Sequence, residues 1–140
     1  MAGNSYENSY SDPRFGVVQM LPMSETGSLA GTVAATEVAR YQFDTPIVLK
    51  NIRLRMKVGG TEAGIRKLIF SSQLAGTGAL VAIGTQALGT MADNTFVNTG
   101  ISGSGTTALA AGDAIVLQQL GTAAGVYNVQ AEIFYVENFA

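Results

Sequence analysis

The chain has 140 residues, a net charge of −2, 47% hydrophobic and 13% charged residues, and no His, Cys or Trp. That balance excludes a disordered chain, and the missing His and Cys exclude Ser–His or Cys–His nucleophiles, zinc–thiolate sites and disulfides. A chain of this length buries a core without staples, and its 17 Gly with abundant Thr, Ala and Ser suit short strands better than a helical bundle.

Residues 1–16 read as an extended N-terminal arm, in which Pro13 lacks the N–H that regular pairing needs. It is either a frayed terminus or a segment that orders on a partner through Tyr6, Tyr10 and Phe15, with Arg14 as its one cation. The start has neither the basic nor the apolar region of a signal peptide, and no apolar run reaches the ~18 residues of a transmembrane helix. No membrane partner is expected, and the chain is expected to fold in a cytoplasm.

Residues 17–20 predict a short strand ended by Pro22, and residues 24–32 a loop with Gly27 and Gly31. Over 37–43, Ala39, Tyr41 and Phe43 alternate with Val38, Arg40 and Gln42, which points the aromatic face inward. Asp44-Thr45-Pro46 is a turn signal, followed by a long strand over 47–58 with a bulge near Asn51, where the alternation changes phase. Beyond the bulge, Ile52, Leu54, Met56 and Val58 alternate with Arg53, Arg55 and Lys57, and Gly59-Gly60 closes the strand. Shorter strands are expected over 65–70 and 80–83. Residues 84–107 are rich in Gly, Thr and Asn and hold short strands at most, with Phe96, Val97 and Ile101 as isolated apolar anchors.

A helix over 108–120 is opposed by Gly112, Asp113 and the β-branched pair Ile115-Val116, which favour a strand over 114–120. A hairpin-sized loop at 121–125 leads to a final strand over 126–136, where Val129, Ala131, Ile133 and Tyr135 alternate with Asn128, Gln130, Glu132 and Phe134. About eight short strands with turns between them predict an all-β fold, an antiparallel sandwich or barrel formed by residues 17–140 as one domain. The scattered Gly-Thr pairs have no fixed period and mark no repeat.

Charge is unevenly spread. Residues 1–39 carry one cation against four acids, 40–67 seven cations against two acids, and 68–140 four acids and no Lys or Arg. A half without cations is unusual for an exposed surface and suggests that something covers it. The acids Asp93, Asp113, Glu132 and Glu137 have no spacing that fixes two about a cleft, and no calcium-loop or phosphate-loop motif occurs. Asp93 reads as loop solubility and Asp113 as turn formation. The Arg53-Arg55-Lys57 row reads as an outward polar face or as a contact surface for an acidic partner; acidic net charge and few accompanying aromatics disfavour nucleic acid.

Residues 41–60, YQFDTPIVLKNIRLRMKVGG, and residues 110–139, from AAGDAIVLQQLG to the aromatic-acidic tail, carry a resemblance. The first resembles the early strands, and the second the closing hairpin, of small jelly-roll virion proteins of tailed bacteriophages. The resemblance implies a jelly-roll-like β-sandwich acting as a capsid decoration, or cement, protein: a homotrimer on the major capsid protein, assembled in the host cytoplasm, with no enzymatic activity and no cofactor. The interface residues expected are Tyr6, Tyr10, Arg14 and Phe15 of the arm and Arg53, Arg55 and Lys57 of the basic row. The alternative is a receptor- or glycan-binding module of a fibre or spike, with exposed aromatics or calcium-ligating loops in residues 84–113.

Overall fold

Burial alternates along residues 52–57 as the sequence does: Ile52, Leu54 and Met56 are buried, while Arg53, Arg55 and Lys57 lie on the other side of the strand. This is the pattern of a strand with one face on a core. The computed structural model describes residues 17–29, 33–59, 66–103, 105, 107–121 and 127–138, so the arm expected over 1–16 lies outside the described residues. Among these described residues nine strands follow one another: β1 (Gln19–Leu29), β2 (Val33–Gln42), β3 (Ile47–Val58), β4 (Arg66–Gln73), β5 (Val81–Ala87), β6 (Thr95–Asn98), β7 (Ala108–Leu109), β8 (Ala114–Gly121) and β9 (Tyr127–Glu137).

All pairings are antiparallel. One sheet has the order β1-β9-β3-β6, with β7 also on β3, and the other the order β2-β8-β4-β5. Leaving out the two-residue β7, each early strand has a late mate: β1 with β9, β2 with β8, β3 with β6, and β4 with β5. The chain is thus one long doubled ribbon rolled into two sheets, the jelly-roll winding. Ile52, Leu54, Met56, Val129, Ala131 and Ile133 from the first sheet and Leu68, Phe70, Ile83, Ile115 and Leu117 from the second form a single buried cluster.

The bulge expected near Asn51 is present as a register shift between Leu49 and Asn51 against β9. Three expectations need correction. The first strand does not end at Pro22 and residues 24–29 are not loop, because β1 runs on to Leu29. Among the described residues β1 pairs only with β9, so it is an edge where a missing N–H is tolerated, and its register shifts between Pro22 and Ser24. The aromatic face expected over 37–43 is inward only at Phe43, just past the end of β2. Tyr41, on an edge strand with neighbours on one side, is 37% exposed and meets Phe43 edge-on at 5.0 Å. Asp93 does more than keep a loop soluble: its Oδ1 accepts the Gly59 N–H at 2.7 Å.

Asp113 does form a turn, and it joins two loops in doing so. Its Oδ1 accepts the Ala75 N–H at 2.8 Å and its Oδ2 the Ala110 N–H at 2.9 Å. Its carbonyl accepts the Phe43 N–H at 2.9 Å, closing the end of β2 onto the turn before β8. Three backbone N–H groups, those of Phe43, Ala75 and Ala110, are satisfied by one residue.

Candidate docking face

The basic row stands on the outer face of the first sheet because β3 places alternate residues there. Pairing then decides its neighbours: Arg53 lies between Glu132 of β9 and Asn98 of β6, and Arg55 between Gln130 and Phe96. Arg53 Nε donates to Glu132 Oε1 at 2.8 Å, while Arg55 Nη2 is 3.8 Å from Glu132 Oε2. The guanidinium carbon of Arg53 lies 4.7 Å from the centre of the Phe96 ring and 4.9 Å from that of Phe134; that of Arg55 is 4.8 Å from Phe96. Phe134, Arg53, Phe96 and Arg55 therefore interleave, rings against guanidinium planes.

Glu132 is only 1% exposed although it faces away from the core, since the two arginines cover it. Phe96, in contrast, is 57% exposed. Arg53, Arg55 and Lys57 thus stand around an exposed aromatic ring, with Glu132 covered between the two arginines.

The turn before β6 fixes the ring. Asn94 takes a left-handed conformation, φ 56°, which Asn tolerates better than most residues. Thr95 Oγ1 donates to the Ala92 carbonyl at 3.0 Å, and the Asp93–Gly59 hydrogen bond ties the turn to the end of β3. Gly59 is needed there: a Cβ would lie 1.9 Å from the Met91 carbonyl oxygen. Between strand end and turn is a cavity of about 260 Å³ lined by Arg55, Met56, Lys57, Asn94 and Phe96.

On the outer face of the second sheet Arg40 covers a buried valine. Val116 points away from the core cluster yet is buried. Arg40 lies opposite it on β2 and reaches over β8 to donate to Gln73 of β4, so its stem covers the valine. Glu37 accepts from Arg40 Nε at 2.8 Å, which holds its carboxyl below the ordinary carboxylate value and raises Arg40.

Of the expected interface residues, the structure brings Arg53, Arg55 and Lys57 together on one face; Tyr6, Tyr10, Arg14 and Phe15 lie outside the described residues. Phe96, Asn94, Phe134 and Glu132 complete the face without having been singled out for it. Among the described residues no three His, Cys, Asp or Glu gather as metal ligands.

No protein-family model matches the chain, and no curated protein matches it. Solved structures do. A chain in the structure of infectious bursal disease virus, Gx strain, is similar with a TM-score of 0.53 and 8% identity, covering 89% of this chain and 32% of that one. A chain in the crystal structure of the T13 IBDV viral particle has a TM-score of 0.44 and 8% identity, covering 86% of this chain and 31% of that one. The first likeness is one of fold. This chain spans about a third of the length of either, and at such identity no residue's role passes from one to the other.

Proposed function

We propose that this chain is a structural virion protein, a decoration or cement protein that binds the shell of a tailed bacteriophage and acts as a homo-oligomer, a trimer. The observation that carries the reading is the outer face of the first sheet, where an Arg–Phe stack stands around a covered carboxylate on a jelly-roll sandwich. Aromatic and arginine side chains held in place before binding lose little entropy on docking, and residues of these types dominate contact energies. Many copies on a symmetric shell add modest contacts into strong attachment. The arm, with Tyr6, Tyr10, Arg14 and Phe15, is assigned to the same contact with the major capsid protein.

The four acids of the cation-free half support contact between copies of the chain. Asp93 and Asp113 hold backbone N–H groups, Glu132 holds Arg53, and Glu137 accepts from Gln19 at 3.3 Å. The turn between β4 and β5 meanwhile exposes Leu74, Leu80 and Val81. An apolar edge with no charge to desolvate suits a neighbouring subunit.

The test is addition of the purified chain to phage heads assembled without it, followed by sedimentation. Stoichiometric co-sedimentation and greater resistance of the heads to heat are expected; no binding to heads rejects the reading. A second reading, a glycan-binding module, is favoured by one observation: the exposed Phe96 ring beside a cavity, within the 84–113 stretch. It predicts retention on oligosaccharide arrays and none on heads.

A further inference from the structure

We infer that the cavity between the end of β3 and the turn into β6 is a carboxylate pocket, which receives an Asp or Glu side chain of a protein partner. The inference rests on the docking reading of this face and names the chemistry of what docks.

Size is the first argument. About 260 Å³ lies below the range of drug-sized ligand sites and suits one side chain. The second is the residues that line it: Arg55, Lys57 and Asn94, beside the exposed Phe96. A planar carboxylate is what a guanidinium fork binds with two parallel hydrogen bonds.

The third argument is how Glu132 divides its attention. It hydrogen-bonds Arg53 at 2.8 Å but lies 3.8 Å from Arg55, too far for a hydrogen bond. Arg53 is therefore hydrogen-bonded to Glu132, while Arg55 has only the longer ion contact to it and lies over the Phe96 ring, so its fork makes no hydrogen bond to Glu132. Phe96 orders the cation in advance, so less side-chain freedom is lost on binding. A nucleic-acid backbone fits poorly, because the chain as a whole is acidic and the cations sit in a single row.

The test uses the full chain, isotope-labelled, titrated with a short Ala-rich peptide bearing two Glu and with the same peptide bearing Gln. The Arg55 Nε and the Asn94 and Phe96 amide resonances are expected to move with the Glu peptide alone, saturating at roughly millimolar concentration, as suits one or two half-exposed ion pairs. Added salt should weaken the response. The double variant Arg55→Gln, Lys57→Gln should lose affinity at least ~10-fold, while Arg40→Gln, which removes a cation from the opposite sheet, should not. Equal responses to both peptides, or an unchanged response in the double variant, would overturn the pocket. So would a response to a sulfated oligosaccharide without one to the Glu peptide. Because no phage heads are involved, a pocket that binds the Glu peptide on a chain that ignores heads would reject the docking reading and leave the pocket standing.

Discussion

Glu132 shows how a charge is accommodated on a sheet's outer face: its carboxylate is hydrogen-bonded to Arg53 and covered by Arg53 and Arg55. Replacing it with Gln keeps the volume but leaves two half-exposed guanidiniums with no counter-charge. A loss of about 1–3 kcal/mol is expected, less than for a wholly buried pair because Arg53 and Arg55 are 34% and 46% exposed. Urea unfolding of the variant measures it, and an unchanged midpoint would mean that solvent already screens the pair. Glu37 gives a prediction with a pH sign. Its hydrogen bond to Arg40 lowers its carboxyl below the ordinary 4.5, so folding binds the charged form better. That contribution is fully present above the unfolded value and is lost as pH falls through the lowered folded value. The stability gap between the native chain and Glu37→Gln should therefore shrink below about pH 4.5. Both partners are exposed, so the gap is small at any pH. At this scale the Arg53-Arg55-Lys57 face was legible in its period of two. The burial of Glu132 was not, because it depends on which residues β9 and β6 bring alongside, and register across strands far apart in sequence leaves no local mark.

Strands carry their own corrections to local rules. The long β3 and the last strand were visible as alternation, and the β3 bulge as a change of phase. β1 was cut short at Pro22 because an edge position, which excuses the missing N–H, is a property of the whole sheet. Phe96 was read as an isolated anchor, since β6 has only four residues and its partner lies some 40 residues earlier in the chain. Two substitutions probe these elements. Gly59→Ala would drive a Cβ into the Met91 carbonyl, so strand end and turn must separate; a cost of about 1–3 kcal/mol is expected. Its distinguishing effect is a displaced Phe96, visible as altered Phe96 and Asn94 resonances even where the chain stays folded. Ile133→Asp places a carboxylate in the centre of the core, where Ile133 has no exposure. A cost of several kcal/mol is a large share of a small domain's stability, so loss of the cooperative melting transition is expected by circular dichroism. Retention of that transition would show that the face is not sealed.

For the molecule as a whole, the measurement that matters is native mass by light scattering on a sizing column. A trimer is expected, and charged replacements at Leu74 and Val81 should dissociate it if the exposed β4–β5 turn is the subunit contact. A trimer that survives both replacements would place the contact elsewhere, and a monomer in the native chain would limit association to the shell. Deleting residues 1–16 should weaken binding to heads; binding equal to that of the full chain would mark the arm as a frayed end. The doubled-ribbon winding also governs the order in which the molecule is born. β9 is the strand that β1 and β3 both need, and it is synthesised after all the others. Until then the first sheet is β1 on one side and β3 with β6 and β7 on the other, with an empty lane between them, so apolar faces wait unsealed until Glu137 has left the ribosome. Folding is then late and dominated by distant pairings, which makes it slow and vulnerable to aggregation. A ribosome-stalled chain ending before residue 127 should be digested by protease throughout, whereas one with residue 137 clear of the exit tunnel should resist.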